Sequence, residues 1–410
     1  MNLFLLVWNY LKARPLNTVL NALLLALGVA VIVVLLLFTR QLQDKIASNA
    51  RGIDLVVGAK GSPLQIILCN IFHIDFPTGN IRLAEAEKLA RHRLVKTAIP
   101  LALGDSYEGY RIIGCPKSYP DLYQAELEQG KWYGSDFEAV IGATVARVRS
   151  LKPGDHFSSA HGLGDGGHEH EEHHFTVTGI LKPSGTVIDN LIFTSIESVW
   201  KVHELPVQAV DTVHQQPSLL VPSVAAGDTT KEITSLLIQY RSPMGAVQLP
   251  RQINQQTSMQ AASPAFETAR LFSIMGVGID VLTAMAGVLI FISGLSIFIA
   301  LYNSLKERRY DLAIMRTMGA TRYRLVVTIL LEGVALTLAG TITGLLTGHG
   351  VVGLVAASVE EIQKTGISGL VFYNTEWIIL AGSLLLGVLC ALVPSVQAYR
   401  TDISEVLAGN

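Results

Sequence analysis

Asn303-Ser-Leu-Lys-Glu-Arg-Arg-Tyr-Asp-Leu-Ala-Ile-Met-Arg-Thr-Met-Gly-Ala-Thr-Arg-Tyr-Arg324 is the densest charged stretch of the chain, and it lies between two long apolar runs. Leu312, Met315 and Met318 recur every three residues beside Ala313 and Ile314, while Arg308, Arg309, Asp311 and Arg316 supply charge. That pattern predicts a short amphipathic helix. Gly319 stops it. Thr321 is then placed to cap the next helix, because its hydroxyl can accept from an unpaired backbone N–H two or three residues on. Lys306, Arg308, Arg309, Arg316, Arg322 and Arg324 cluster between apolar runs, which marks a cytoplasmic loop, since basic residues are retained on that side.

The apolar runs outside this stretch decide the class. The chain has 410 residues, half of them hydrophobic (50%), and a mean hydropathy of +0.41. The excess is concentrated in four runs, Thr18–Phe38, Ile279–Leu301, about Leu325–Val355 and Trp377–Val393. Each can cross a hydrocarbon core about 30 Å thick. The first exceeds the 7–15-residue core of a signal peptide, and Thr39-Arg-Gln-Leu-Gln43 offers no small-x-small cleavage site. It therefore reads as an uncleaved anchor with Lys12 and Arg14 inside. Net charge is −2, so no basic field draws the chain to nucleic acid. Four spans put both ends inside.

Three regions follow: residues 1–39, an N-terminal amphipathic lead and the first span; 40–270, a polar α+β domain outside the membrane; and 271–410, three spans with the charged cytoplasmic segment 303–324. In the domain, Ala98–Leu103, Tyr110–Gly114, Ala139–Gly142, Phe175–Leu181 and Leu191–Ser195 read as strands, and Leu83–Leu94 and Thr230–Arg241 as helices. Asp54-Leu-Val-Val-Gly-Ala-Lys-Gly-Ser-Pro63 has two glycines flanking a lysine but lacks the phosphate-loop spacing, which occurs nowhere in the chain, so any ATP is bound by another polypeptide. A turn before the Leu64–Phe72 run is its expected role. Of Cys69, Cys115 and Cys390, at most the first two can bridge, and buried small hydrophobes are the other reading.

Between Phe157 and Phe175, His161, His168, His170, His173 and His174 crowd into a glycine-rich acidic loop, with His156 just before it. Imidazole and carboxylate can ligate Zn2+ there, and a solvated loop without ligands is the alternative. His170-Glu-Glu-His-His174 formally satisfies His-Glu-x-x-His, yet that chemistry needs both histidines on one helical face. Glycines before and a strand-like run after leave no length for the helix.

Phe266–Gly278 should continue as helix into the second span, with Asp280 interfacial. In the third, Gly340, Gly344 and Gly348 bring small residues to one face and permit close helix approach. Glu332 either pairs with basic residues near the cytoplasmic surface or joins a charge relay; pairing is favoured because relays use further ionisable groups within the membrane. A polar segment with Glu360, Glu361, Lys364 and Gly366 returns the chain outside before Trp377 anchors the fourth span.

Ser-x-x-Glu-Arg-Arg-x-Asp-x-Ala-x-x-Arg-x-x-Gly-Ala-Thr-Arg, from Ser304 to Arg322, resembles the coupling segment of MacB/FtsX-type ABC permeases, which include macrolide exporters and lipoprotein-release permeases. The tail Pro394-Ser-Val-Gln-Ala-Tyr-Arg-Thr-Asp-Ile-Ser-Glu-Val-Leu407 resembles the family's closing pattern, except that Ile403 stands where proline is usual. Val140–Ala146, Lys152–Asp155 and Val177–Lys182 resemble its external domain more loosely.

The resemblance implies a transport subunit with no catalytic residues of its own. Glu307, Arg308, Arg309, Asp311, Arg316, Gly319 and Arg322 would couple to a separate ABC ATPase that holds ATP and Mg2+. It further implies two permeases with two ATPases in a bacterial inner membrane, the domain in the periplasm extruding or extracting a substrate, and room for a periplasmic or outer-membrane partner. The alternatives are an FtsX-like signalling permease that regulates an external hydrolase, and a zinc sensor or metalloprotease built on the histidine loop.

Overall fold

A computed structural model of the chain describes residues 3–160, 169–203, 231–359, 362 and 366–400. Its contacts divide the chain into two units, Met1–Gln43 with Ile274–Asn410, and Asp44–Ser273.

In the first unit, four helices among the described residues are long and apolar enough to cross a membrane: Pro15–Asn49, Pro264–Glu307, Arg322–Ser358 and Thr375–Arg400. A short lead helix, Leu3–Ala13, precedes them. The second begins at Pro264, a residue suited to the first helical turn because its missing N–H would be unpaired there anyway. It runs unbroken through Phe266–Gly278, as expected from the sequence, and Asp280 is exposed. Leu25, Val29, Val33 and Leu37 form a buried stripe on the first span, together with Leu336 and Val352 of the third. Leu20, Leu23 and Leu27 stay exposed on the same helix. In a bilayer such side chains meet lipid as apolar as themselves, so this surface needs no protein cover.

The second unit is an α+β body around a mixed sheet, ten-stranded among the described residues. From one edge its main path runs Met259–Ala262, Leu55–Ala59, Ser235–Tyr240, Val95–Tyr107, Tyr110–Gly114, Leu191–Thr194, Glu138–Ile141, Glu169–Leu181 and Leu127–Gly130. The five strands read from the sequence are all present. Leu55–Ala59 leads through Lys60 and Gly61 to Ser62, whose hydroxyl accepts from Gln65 N at 3.4 Å and caps helix Pro63–Asn70, so Lys60-Gly61-Ser62 is the expected turn and Gly58 belongs to the strand.

The helix expected over Thr230–Arg241 is not formed; Glu232–Ile233 and Ser235–Tyr240 are strands. Ser235–Tyr240 pairs antiparallel with Leu55–Ala59 on one side and Val95–Tyr107 on the other, and its first four residues are buried. A strand covered on both faces has no polar alternation, so its apolar run mimics a helix segment. The helix expected over Leu83–Leu94 forms only as Leu83–Ala90, and residues 91–94 turn into strand Val95–Tyr107.

Cys69 and Cys115 are free and buried. Burial pushes each thiol up to about 12, so both remain neutral. Beside them His73 Nε2 lies 2.8 Å from the Tyr119 hydroxyl, and the buried Arg111 donates to the Asp75 carbonyl at 2.7 Å. Burial, reinforced by Arg111, pushes His73 down to about 3.

Candidate coupling site

The charged stretch folds as a helix, Arg309–Thr317, set off from the second span by a break at Arg308 (φ −98°, ψ 10°). Gly319 ends it at φ +97°, a left-handed conformation that glycine alone adopts without a Cβ penalty. Thr321 then caps the third span, its Oγ1 accepting from Arg324 N at 3.4 Å.

Leu312, Ala313 and Met315 form the buried face. Met318, expected on the same stripe, is 74% exposed. It sits at the C-cap, where successive three-residue steps have carried it about 120° around from Leu312.

Arg308 points inward. Its guanidinium lies 3.5 Å from the Glu332 carboxylate, donates to the Tyr10 carbonyl at 3.3 Å and stacks 3.8 Å from the centre of the Tyr10 ring. Tyr10 in turn donates to Met315 Sδ at 3.8 Å. Burial holds its phenol above the ordinary range, so the donor proton is kept. Arg14 pairs with Glu307. The lead helix and the third span together hold the coupling helix from beneath, and Glu332 takes the pairing role favoured from the sequence.

The residues singled out for coupling therefore separate. Arg308 is internal and Glu307 is engaged by Arg14, whereas Arg309 and Asp311 are exposed. Arg316 is half-buried, and Arg322 lies 5.5 Å over the Tyr399 ring. Tyr310 (59% exposed) and Ile314 join Asp311 and Met318 on the outward face, while Arg309 is exposed at the helix's first residue on a different side. Sequence reading assigned Tyr310 no role and placed Ile314 within the apolar pattern. Their signal was being large and apolar on the charged side of the helix.

Three glycines seat the third span on the first. A Cβ at Gly340 would lie 3.0 Å from the Ala22 carbonyl, at Gly344 2.7 Å from the Ala26 carbonyl and the Val29 Cβ, and at Gly348 2.8 Å from the Val33 Cβ. Partner residues advance with the glycines, so the two helices run parallel in close contact.

The histidine-rich segment is a pair of strands at its flanks. His156–Ala160 pairs with Glu169–Leu181, with Ser158 opposite His174 and His156 opposite Thr176. His174 Nδ1 lies 2.9 Å from Ser158 Oγ and His156 Nδ1 3.0 Å from Thr176 Oγ1. His170 and His173, expected in a loop, fall within the second strand because the ladder extends beyond Phe175; His161 and His168 lie outside the described residues. The His-Glu-x-x-His sequence is thus strand, as its rejection as a metalloprotease helix requires. Among the described residues no three histidine, cysteine or carboxylate side chains group as a metal site.

Residues 18–267, more than half of the chain, match the MacB-like periplasmic core domain, and residues 283–403 match the FtsX-like permease C-terminal domain. Over 131 residues the chain is 28% identical to the uncharacterized ABC transporter permease YknZ of Bacillus subtilis (strain 168), a match spanning 31% of this chain and 30% of that protein. The periplasmic region of MacB from Actinobacillus actinomycetemcomitans is 13% identical, the alignment covering 55% of this chain and 97% of that one at a TM-score of 0.33. The extracellular domain of the noncanonic ABC-type transporter YknZ from Gram-positive bacteria is also 13% identical, covering 52% and 99% at a TM-score of 0.30. With a MacB-like core domain between its first two spans and an FtsX-like C-terminal domain, the chain belongs to the MacB/FtsX-type ABC permeases, multi-pass membrane proteins whose family implies an ABC ATPase partner.

Proposed function

We propose that a separate ATPase docks on the outward face formed by Tyr310, Asp311, Ile314 and Met318, with Arg309 exposed at the helix's N-terminal end, and that its ATP-driven movement is relayed to the extracytoplasmic domain, which extrudes or extracts a substrate. The observation that carries this is the two-sidedness of helix Arg309–Thr317. One face is locked to the lead helix and third span through Arg308, Tyr10 and Met315, while the other presents exposed apolar side chains ringed by charge. A patch with an apolar centre and a polar rim has the make-up of a protein interface. A push on it would reach the spans through the tied face.

In this reading two copies of the permease act with two ATPases in a bacterial inner membrane, the domain faces the periplasm, and the substrate is a lipoprotein, lipid, peptide or drug. ATP and Mg2+ stay on the partner. Mass spectrometry of what co-purifies with the gently solubilised complex tests it. A bound cargo that is lost on ATP hydrolysis supports transport, whereas an external hydrolase in place of cargo supports an FtsX-like signalling role and overturns extrusion.

Zinc enters the same proposal through the histidine strands. His156 and His174 lie diagonally across one face of the ladder, each with Nδ1 engaged by a hydroxyl, an arrangement that leaves Nε2 as the ligating atom. Calorimetry on the full chain should show Zn2+ binding at neutral pH that disappears when both histidines become glutamine; unchanged binding rejects the pair as ligands.

A further inference from the structure

Turn 366–374, between the third and fourth spans, is polar underneath and apolar on top. Ser368 N donates to Gln41 Oε1 of the first span and Ser368 O accepts from Gln41 Nε2, both at 2.8 Å. The Gly369 carbonyl lies 2.6 Å from His349 Nδ1 on the third span, and Tyr373 N donates to Glu376 Oε1 on the fourth at 2.9 Å. Leu370 N donates to Ser368 Oγ at 3.1 Å, and the Tyr373 carbonyl accepts from Glu376 N at 2.9 Å. Ile367 and Gly369 are buried, and a Cβ on Gly369 would sit 2.4 Å from the His349 carbonyl, so the turn rests directly on the third span.

The other side carries large apolar side chains. Leu370 is 87% exposed and Phe372 74%, with Val371 exposed between them, and Trp377 and Ile378 carry the exposed apolar sequence on into the fourth span. Phe372 is steadied by stacking on His349, their ring centres 4.3 Å apart. Such side chains are least costly away from water, and there backbone N–H and C=O groups need partners from the protein itself. The turn meets both conditions. A loop in water can leave its backbone to the solvent, whereas here buried Gln41 spends both ends of its amide on one serine.

Position along the spans agrees. At about 1.5 Å per residue, His349 lies about 37 Å beyond Arg324, Gln41 about 40 Å beyond Arg14 and Glu376 about 36 Å from Arg400. The hydrocarbon core is about 30 Å thick and the bilayer with its headgroups about 40–45 Å, so all three counts from the basic side end at the outer boundary between acyl chains and headgroups. Amphipathic surfaces at that boundary bury apolar side chains about 5–10 Å deep, and tryptophan is enriched there.

We infer that turn 366–374 is a ridge inserted in the outer leaflet, where Leu370, Val371 and Phe372 contact phospholipid acyl chains. Lipid is the occupant because the ridge is continuous with the lipid-facing start of the fourth span and because these backbone polar groups are paired from within the protein. Gln41, His349 and Glu376 fix its depth to three spans at once, so movement of those spans displaces outer-leaflet lipid. The inference does not depend on what the ATPase drives.

Depth-dependent fluorescence quenching of the full-length protein in phospholipid nanodiscs tests it. A bimane label on Leu370→Cys is read in a Cys390→Ser background, Cys69 and Cys115 being buried. The same label on Leu27→Cys, exposed midway along the first span, is the deep reference. At Leu370, phospholipid brominated near the glycerol end of its acyl chains should quench several-fold more than phospholipid brominated near the methyl end, and aqueous iodide should quench several-fold less than it quenches the free dye. At Leu27 the order of the two bromolipids should reverse. Iodide quenching like that of the free dye, without bromolipid quenching, overturns the inference and makes the turn water-facing. Quenching by neither also overturns it, because protein then covers the turn.

Discussion

The Arg308 guanidinium and the Glu332 carboxylate lie 3.5 Å apart with 12% and 10% of their side chains exposed, so the break between the second span and the coupling helix is tied directly to the third span. The charge that looks most available for a partner is thus spent inside the protein, and the proposed docking rests on the neighbours that face outward.

Removing one member of such a pair leaves the other charge buried and unpaired, which destabilises by about 3–5 kcal/mol, whereas exchanging both for apolar residues of similar volume can be neutral. Glu332→Ala should therefore lower the thermal unfolding midpoint in detergent more than the double variant Arg308→Met/Glu332→Leu. Equal losses would mean that the two residues act independently.

Close packing of the third span on the first makes its glycines unequal. Gly344→Leu must displace the Ala26 carbonyl and Val29, both 2.7 Å from the new Cβ, and overpacking of this kind costs about 1–3 kcal/mol or more. Gly350 has nothing within 4 Å of a Cβ, so Gly350→Ala should leave the unfolding midpoint unchanged. Similar behaviour of the two variants would refute the contact.

His73 makes the extracytoplasmic unit acid-sensitive. Burial holds its folded value at about 3 against an ordinary value of about 6.5, so between those limits the unfolded chain binds more protons and stability rises with pH. The contribution is complete above about pH 6.5 and is lost on acidification toward pH 3, at roughly 1.4 kcal/mol per pH unit. Denaturant unfolding of wild type and His73→Gln from pH 7 to pH 4 should show a shallower slope in the variant; parallel slopes would assign the acid sensitivity to other groups.

The spans were legible because long apolar runs have one reading, and the Gly319 stop and Thr321 cap because both are local backbone chemistry. Ser235–Tyr240 was misread for the opposite reason: its covering strands are distant in sequence, and only they distinguish a buried strand from a helix. Within the site, Arg308 and Arg309 are adjacent and identical in type, yet one faces Glu332 and Tyr10 and the other faces out. Composition cannot separate them. Met318 shows the limit of counting by threes, since the helix ends before it returns to the buried face.

Docking of the ATPase on the outward face is tested most directly by photo-crosslinking from single sites in cells that co-express the ATPase which co-purifies with the permease. A crosslinker at Tyr310 or Met318 should capture the ATPase, one at exposed Leu370 should not, and Arg309→Ala/Asp311→Ala should weaken both association and ATPase coupling with little loss of stability, because exposed charges contribute little to folding. Capture at neither Tyr310 nor Met318 while the ATPase still co-purifies would contradict the account.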